Sequence, residues 1–324
     1  MTLTIIFFIL GFIFLIKGAD IMVDGSSSFA KKNNISDLVI GLTIIAFGTS
    51  APELIVSVLA SFKESTGIAL GNIIGSNISN TLLILGVSAI IYPLLVRSNT
   101  IKKEIPFSLL ALVVLGILVN DTFLASSNNL NILNRADGLV LLLFFVIFIY
   151  YTFGINKTEN KLFEETGKDE VKVYKNSTSI LMIIAGLTGL FLGGRWIVNS
   201  ATDIAKYFSL SEELVGLTIV AIGTSLPELA ASAMAAAKKK ADMAIGNVVG
   251  SNIFNILWVL GISSLIKPIA FNNILNFDIL VLLSVTIILI IFIYIGKRNI
   301  LSKKEGIILI MLYVFYISFL VYRG

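Results

Sequence analysis

Ten long apolar segments, separated by short polar connections, constrain the fold of this 324-residue chain more than any other feature. A run of about 20 apolar residues is long enough to cross a bilayer as a helix. Hydrophobic residues make up 56% of the chain and charged residues only 14%, which is typical of a polytopic membrane protein. We therefore predict an all-α integral membrane protein with ten transmembrane helices. Their predicted cores are residues 3–23, 38–62, 68–96, 105–119, 138–153, 180–201, 214–237, 243–266, 277–295 and 306–321.

An internal repeat divides the chain into two halves. Residues 36–93 align with residues 211–268 without a gap, at a constant offset of 175 (211 − 36 = 175), and about half of the pairs are identical. Five predicted spans separate each element from its twin, and because five is odd the two halves cross the bilayer in opposite orientations. We predict two inverted five-helix repeats, residues 1–153 and 180–324, joined by a charged cytoplasmic linker at 154–179. Transporters commonly use this plan, with the substrate site near the midplane.

Each half carries the pattern G-T-S-x-P-E in the middle of a predicted span, at residues 48–53 and 223–228. A charge within a membrane span is costly and marks a functional site by default. Pro52 and Pro227 cannot donate a backbone hydrogen bond, which loosens the carbonyl four residues earlier. We therefore predict that transmembrane helices 2 and 7 are broken. Free carbonyls, hydroxyls and a carboxylate at one depth suit a hard cation such as Na⁺ or Ca²⁺.

Polar residues at helical spacing form stripes around these carboxylates, because positions three and four apart share one helix face. Two buried carboxylates repel each other and are costly to desolvate unless a cation neutralises them. Switching the access of an empty site from one side of the membrane to the other is therefore costly. This cost favours obligatory exchange of one cation for another. The first half contributes Thr49, Glu53 and Ser57, then Asn72, Ser76 and Asn80, and the second half contributes Thr224, Glu228 and Ser232, then Asn247, Ser251 and Asn255.

Composition also excludes several classes of function. The chain has no histidine and no cysteine, so it lacks the usual transition-metal ligands, thiolate sites and nucleophile–base pairs, and we predict that it is not an enzyme. If both termini lie outside, 17 of the 24 lysines and arginines fall on the cytoplasmic side. The positive-inside rule thus explains the net charge of +4 without a nucleic-acid partner. We expect a multi-pass cell-membrane protein that functions as a monomer and uses no cofactor.

These motifs resemble a known family. The two G-T-S-x-P-E stretches and the two G-N-x-x-G-S-N-x-x-N stretches are similar to the α-repeats of the calcium/cation antiporter superfamily, in its prokaryotic sodium/calcium exchanger branch. The resemblance covers both halves in order and implies a ten-helix fold. It also implies which residues bind the transported ions. Ca²⁺ would be held by Glu53 and Glu228 with the backbone carbonyls of Thr49 and Thr224.

The resemblance further implies two flanking Na⁺ sites and a central water. One Na⁺ site would use Ala46, Ser50, Glu53 and Ser251, and the other Ala221, Ser225, Glu228 and Ser76. Asn80 and Asn255 would sit at the centre with the water. Potassium-dependent relatives carry an aspartate at the position of Asn255, so two central amides favour a potassium-independent exchanger.

The sequence thus predicts an electrogenic antiporter that exchanges Ca²⁺ for Na⁺ by alternating access. Two alternatives remain open: a Ca²⁺/H⁺ antiporter, in which protons replace Na⁺ on the two glutamates, and a cation channel with the glutamates as its filter. Polar residues also occur in the first span of each half. Asp20 and Asp24, and at the shifted positions Arg195 and Asn199, either line an ion access route or pair locally near the membrane surface.

Overall fold

The computed structural model of the protein describes residues 2–62, 66–97, 100–120, 131–159, 172–207, 221–295 and 299–323. Seven helices in these ranges are long and apolar enough to cross a membrane, or eight if a bent pair of helices counts as one span. The prediction of an all-α, multi-pass membrane protein is confirmed. The arrangement of ten helices in two inverted repeats stays a prediction, and residues 214–220 of the predicted seventh span lie outside the described ranges.

Fifteen α-helices are described, interrupted by π-helical segments at Gly41–Ile45, Asn80–Ile84, Thr100–Glu104 and Phe254–Val259. The helices are α1 (Thr2–Lys32), α2 (Asp37–Ile40), α3 (Ala46–Thr49), α4 (Ala51–Phe62), α5 (Thr66–Ser79), α6 (Leu85–Ile91), α7 (Ile105–Leu118), α8 (Arg135–Glu159), α9 (Asn176–Tyr207), α10 (Ala221–Thr224), α11 (Leu226–Ala237), α12 (Ala241–Ile253), α13 (Leu260–Ile266), α14 (Leu275–Ile295) and α15 (Lys303–Arg323).

The two predicted breaks coincide with the two prolines. The chain bends by 43° between Asp37–Thr49 and Ala51–Phe62. Ser50 at this break has φ −81° and ψ 4°, and Ser225, between α10 and α11, has φ −87° and ψ 4°. Both serines therefore leave the helical conformation in the same way, one residue before the first turn that contains the proline. The breaks place the hydroxyls and carboxylates of each motif at one level of the fold.

Helices α1 and α9 pack against each other along a stripe of small residues. A Cβ atom added to Gly18 would lie 2.8 Å from the backbone oxygen of Gly186, and corresponding approaches occur one heptad away in each direction. The residue numbers of each pair have a constant sum (18 + 186 = 204), so the two helices run antiparallel. Small residues permit this close contact, which replaces the hydrophobic driving force that is missing between helices in lipid. The flanking pairs are Gly11 with Gly193 and Gly25 with Ser179.

Helix α12 and the α2–α3 region of the first half make a second close contact. A Cβ atom added to Gly246 would lie 2.7 Å from the backbone oxygen of Leu38, and one added to Gly41 would lie 2.6 Å from that of Met243. These approaches leave no room for a side chain at Gly41 or Gly246. Segments Ala69–Ile91 and Ala241–Ile266 are the most buried helical segments and form the centre of the described fold.

Four two-residue strands connect the halves at the ends of the helices. Strand β1 (Leu94–Leu95) pairs antiparallel with β4 (Ile300–Leu301), and β2 (Ile132–Leu133) pairs antiparallel with β3 (Ile269–Ala270). Strand β3 lies 175 residues after β1 (269 − 94 = 175), in agreement with the repeat. In each pair one strand comes from the first half and its partner from the second. The halves are thus interlocked by backbone hydrogen bonds as well as by helix packing.

Candidate functional site

Two carboxylates lie deep in the protein, each in the first turn of a helix that follows a break. Glu53 is in the first turn of α4 and is 1% exposed, and Glu228 is in the first turn of α11 and is 0% exposed. The unpaired N–H groups at a helix N-terminus stabilise a nearby negative charge. The breaks thus create two helix N-termini in the middle of the protein, and each of them carries one glutamate.

Each glutamate accepts a hydrogen bond from a serine hydroxyl of the first half. Ser50 Oγ donates to Glu228 Oε1 at 3.3 Å, and Ser76 Oγ donates to Glu53 Oε1 at 3.3 Å. Ser225 Oγ donates in turn to Ser76 Oγ, also at 3.3 Å. The structure thus brings both motifs into one contiguous polar cluster. In the described part of the protein, Oε2 of each glutamate is buried without a hydrogen-bond partner.

Asparagines from both halves form hydrogen bonds with each other in this cluster. Asn80 Nδ2 donates to Asn252 Oδ1 at 3.0 Å, and Asn255 Nδ2 donates to Asn77 Oδ1 at 3.0 Å. The two bonds are equivalent under the repeat, because 80 + 175 = 255 and 77 + 175 = 252. Oδ1 of Asn80 and Oδ1 of Asn255 are buried and have no partner among the described residues. Buried polar atoms without a partner are rare and require an explanation.

The two threonines of the motifs bind asparagines of the opposite half. Thr49 Oγ1 donates to Asn247 Oδ1 at 3.1 Å, and Thr224 Oγ1 donates to Asn72 Oδ1 at 3.4 Å. These bonds are also equivalent under the repeat, because 49 + 175 = 224 and 72 + 175 = 247. They fix the side of each broken helix that faces the cluster.

The remaining predicted ligands are placed as follows. Ser251 Oγ lies 3.5 Å from Thr49 Oγ1, next to the cluster. The carbonyl of Ala46 is fully buried and accepts the Ser50 N–H at 3.0 Å and the Thr49 hydroxyl at 3.5 Å. Ala221 begins α10, and only its backbone is among the described atoms.

The serine contacts cross the predicted groupings of Na⁺ ligands. Ser50 was grouped with Glu53 but contacts Glu228, and Ser76 was grouped with Glu228 but contacts Glu53. The contact of Ser225 with Ser76, by contrast, lies within one predicted group. The assignment of ligands to individual ions stays a prediction.

The cluster has the chemistry of a site for a hard cation. Four buried oxygens have no partner, two from carboxylates and two from amides. Each can coordinate a cation such as Na⁺ or Ca²⁺, whereas another hydrogen-bond acceptor would not pair with it. In the described ranges, no group of three or more acidic, histidine or cysteine side chains has the arrangement of a metal site. The acidic side chains of the cluster are Glu53 and Glu228, and its other unpartnered acceptors are the neutral amide oxygens of Asn80 and Asn255.

A cavity of about 380 Å³ reaches this region from one side. It lies between α4 and α9, and its lining includes Pro52, Gly223, Thr224 and Pro227, which belong to the two motifs at the breaks. Arg195 and Asn199 also line it, and their role in an ion access route stays a prediction.

The twin positions of Arg195 and Asn199 behave differently. Asp20 and Asp24 each lie 2.6 Å from Lys238 Nζ, so the alternative of local pairing holds for these two residues. The two pairs of positions thus differ in charge, although they are related by the same offset of 175.

Hydrogen bonds between asparagines of the two halves extend beyond the residues predicted as ion ligands. Asn77 accepts a hydrogen bond from Asn255, and Asn252 accepts one from Asn80. Asn252 also donates to Thr81 Oγ1 at 3.0 Å. Asn247 additionally donates to Ser232 Oγ at 2.9 Å. The signal was present in the sequence, because all of these asparagines recur at the offset of 175. Their role as partners of residues in the other half depends on how the halves dock.

Comparison with known proteins gives a consistent result. The family described as sodium/calcium exchanger protein matches residues 3–154 and 178–322. The sodium/calcium exchanger MaX1 of Methanosarcina acetivorans is 31% identical over 349 residues, covering 99% of both chains. The inner membrane protein YrbG of Escherichia coli is 37% identical, covering 80% of this chain and 79% of YrbG. A structure of the sodium-calcium exchanger NCX_Mj soaked with Na⁺ and Ca²⁺ is similar at a TM-score of 0.82 and 34% identity, covering 98% of both chains.

Proposed function

Because this chain belongs to the sodium/calcium exchanger protein family, a family of membrane transporters and not of enzymes, we propose that it is a secondary active antiporter that exchanges Ca²⁺ for Na⁺ by alternating access. Ca²⁺ and Na⁺ are its substrates, and it needs no cofactor. MaX1 and NCX_Mj, to which it is similar along almost their whole length, are both named as sodium/calcium exchangers.

The observation that carries this proposal is the set of four buried oxygens without partners. Glu53 and Glu228 each contribute Oε2, and Asn80 and Asn255 each contribute Oδ1. Leaving such atoms without a partner costs about 1–3 kcal/mol each, and more for charged groups, so a bound cation stabilises the cluster strongly. The unpartnered oxygens come in pairs related by the repeat, which suits a site that is presented alternately to the two sides of the membrane.

Charge balance supports exchange over uniport. One Ca²⁺ or two Na⁺ neutralise the two carboxylates, and an empty cluster retains two buried negative charges that oppose closure of the site. A third Na⁺ leaves one net positive charge, so we propose that exchange is electrogenic. Because both central residues are amides, we propose that it is independent of potassium.

We propose the following ligands. Ca²⁺ binds Glu53, Glu228 and the carbonyls of Thr49 and Thr224. Na⁺ binds on either side of this position, and the hydroxyls of Ser50, Ser76, Ser225 and Ser251 and the carbonyls of Ala46 and Ala221 complete the set. The hydrogen bonds from Ser76 to Glu53, from Ser225 to Ser76 and from Ser50 to Glu228 support this arrangement, since they place serine hydroxyls of both halves near the carboxylates.

The proposed architecture is ten transmembrane helices in two inverted repeats, residues 1–153 and 180–324, with both termini outside and the linker 154–179 in the cytoplasm. The antiparallel packing of α1 and α9 and the recurrence of hydrogen bonds at the offset of 175 support it. We propose that α1 and α9 move together against the other helices to switch access, and that a single chain suffices.

The test is Ca²⁺ uptake into proteoliposomes loaded with Na⁺, compared with vesicles loaded with K⁺ and with vesicles under an imposed pH gradient. Glu53→Gln and Glu228→Gln are the paired controls, because they remove the charge and keep the shape. We expect uptake only into Na⁺-loaded vesicles, and we expect both variants to lose it. Because exchange is proposed to be electrogenic, a membrane potential of one sign should enhance the uptake and the opposite potential should not.

Other outcomes would redirect the proposal. Uptake driven by the pH gradient alone would identify a Ca²⁺/H⁺ antiporter that uses the same glutamates. Uptake that needs no counter-ion would contradict antiport and identify a cation channel. Uptake from Na⁺-loaded vesicles that increases when K⁺ is added with Na⁺ would contradict potassium independence alone.

A further inference from the structure

The cavity between α4 and α9 carries a positive charge where a cation route is expected to carry a negative one. Arg195 is exposed and lines the cavity, and among the described residues that line it there is no aspartate or glutamate. Its twin position in the first half is Asp20 (195 − 175 = 20). The repeat thus offers an acidic residue at this position, and the second half replaces it with a basic one.

The cavity leads to the ion cluster and not to an unrelated surface. Its lining contains Gly223 and Thr224, and the amide nitrogen of Pro227 cannot donate to the carbonyl of Gly223. Thr224 Oγ1 is bonded to Asn72 inside the cluster. The cavity is thus lined both by Arg195 and by a residue of the ion cluster.

The acidic residues of α1 and of the ion cluster have other partners. Asp20 and Asp24 are both engaged with Lys238, at 2.6 Å each. Glu53 and Glu228 are buried in the cluster and bind serine hydroxyls. The Arg195 side chain is exposed to the cavity, where its charge acts on an approaching ion.

We propose that Arg195 is a specificity-determining residue, which disfavours divalent over monovalent cations on the side of the cavity. This inference rests on the proposed function. The free energy of an ion in the field of a fixed charge is proportional to the charge of the ion. Arg195 therefore opposes Ca²⁺ twice as strongly as Na⁺, and it biases this side of the protein toward Na⁺ binding and Ca²⁺ release.

The proportionality predicts a numerical relation. At the dielectric constant of water and a separation of about 6 Å, a unit charge changes the apparent affinity for Na⁺ by roughly threefold. The same charge changes the apparent affinity for Ca²⁺ by the square of that factor, about ninefold. A structural effect of the arginine on the site has no reason to follow this square relation.

The experiment measures apparent affinities for Na⁺ and Ca²⁺ in proteoliposomes for wild type, Arg195→Gln and Arg195→Lys. The chain has no native cysteine, so Leu59→Cys, whose side chain lines the cavity, reports by its reaction with a membrane-impermeant thiol reagent the side to which the cavity opens. On that side we expect Arg195→Gln to raise the Na⁺ affinity about threefold and the Ca²⁺ affinity about ninefold. Arg195→Lys should match wild type, and all effects should shrink at high ionic strength.

Several results would overturn the inference. Equal factors for Na⁺ and Ca²⁺, an effect on the opposite side only, or a change in Arg195→Lys as large as in Arg195→Gln would each show a structural role. If wild type exchanges Na⁺ for Ca²⁺ and Arg195→Gln does so with unchanged affinities, the inference fails and the proposed function stands. If wild type exchanges neither ion, both fail. Arg195→Glu gives a second readout, since it should double the logarithm of each factor.

Discussion

Lys238 Nζ lies 2.6 Å from Asp24 Oδ1 and thereby joins the end of α11 to the middle of α1. The same ammonium group lies 2.6 Å from Asp20 Oδ1 and donates to the backbone oxygen of Asp20 at 3.0 Å. Helix α11 carries Glu228 in its first turn, so the contact ties the α1–α9 pair to a helix of the ion cluster. The twin positions of the two aspartates are Arg195 and Asn199, which cannot repeat it.

We expect Lys238→Gln to weaken the contact between α11 and α1. Exposed ion pairs contribute about 0.2–1 kcal/mol each, so the loss should be modest in the free energy of unfolding. A cysteine that replaces the buried Ser26 of α1 should react with a thiol reagent about two- to fivefold faster in the Lys238→Gln background. The control is Lys239→Gln, which removes the same charge from the neighbouring exposed position. Equal reactivity in the two backgrounds would show that the contact does not restrain α1.

The two glutamates should be destabilising when no cation is present. Glu53→Gln and Glu228→Gln each remove one of two mutually repelling buried charges, so each should stabilise the protein in ion-free buffer by about 1–3 kcal/mol. The same variants should lose the stabilisation by Ca²⁺, which for wild type is about 2.7 kcal/mol at a hundredfold excess over Kd. Thermal unfolding in detergent with and without Ca²⁺ measures both effects.

Asp203→Asn is the matched control, because Asp203 is an exposed carboxylate near the end of α9. It should leave both the stability without ions and the response to Ca²⁺ unchanged. A Ca²⁺ response that survives in Glu53→Gln and Glu228→Gln would remove these residues from the proposed ligand set.

The close approach of α1 and α9 should tolerate no added methyl group. In Gly18→Ala the new Cβ would lie 2.8 Å from Gly186 O and 2.8 Å from Leu190 N. Backbone atoms cannot rotate away, so we expect a loss of about 1–3 kcal/mol in unfolding free energy and slower exchange. Gly154→Ala in α8, where the added atom meets no described atom within 4 Å, should instead stabilise the protein by about 0.5–1 kcal/mol. Similar stabilities for the two variants would contradict the packing described above.

Restoring a backbone N–H donor at a break should raise the stability of the protein and weaken its ion binding. Pro227→Ala supplies an N–H group four residues after Gly223, and a new hydrogen bond to that carbonyl is worth about 1 kcal/mol. We expect a higher melting temperature and, because α10 and α11 then tend to align, an apparent Ca²⁺ affinity that is lower by about tenfold. Pro106→Ala, in the first turn of α7, is the control and should leave Ca²⁺ affinity unchanged. Unchanged affinity in Pro227→Ala would show that the break is not needed for binding.

Much of this organisation was predictable from the sequence, because the informative features are local. Length and hydropathy identify membrane spans, and a proline beside a carboxylate within a span marks a break wherever it occurs. The offset of 175 then relates the two motifs without any knowledge of the fold. The breaks at Ser50 and Ser225 lie where this reasoning put them.

Contacts between the halves were not predictable in the same way. Nothing in the spacing of the first motif indicates that Ser50 donates to Glu228 and not to Glu53. The π-helical segments beginning at Asn80 and Phe254 carry no proline or glycine signal either, since a π turn inside a helix results from tertiary packing. The pairing of Lys238 with Asp24 likewise depends on how α11 docks against α1.

The exchange of strands between the halves has a consequence for biosynthesis. Strand β1 at Leu94–Leu95 finds its partner only at Ile300–Leu301, 206 residues later in the chain (300 − 94 = 206). At a synthesis rate of about 5–20 residues per second, the first half waits roughly 10–40 s in the membrane with an open strand edge. An open edge is a template for wrong pairing, so quality control must tolerate this intermediate. A gene truncated after the first half should yield a product that is degraded, because neither half completes its own ends.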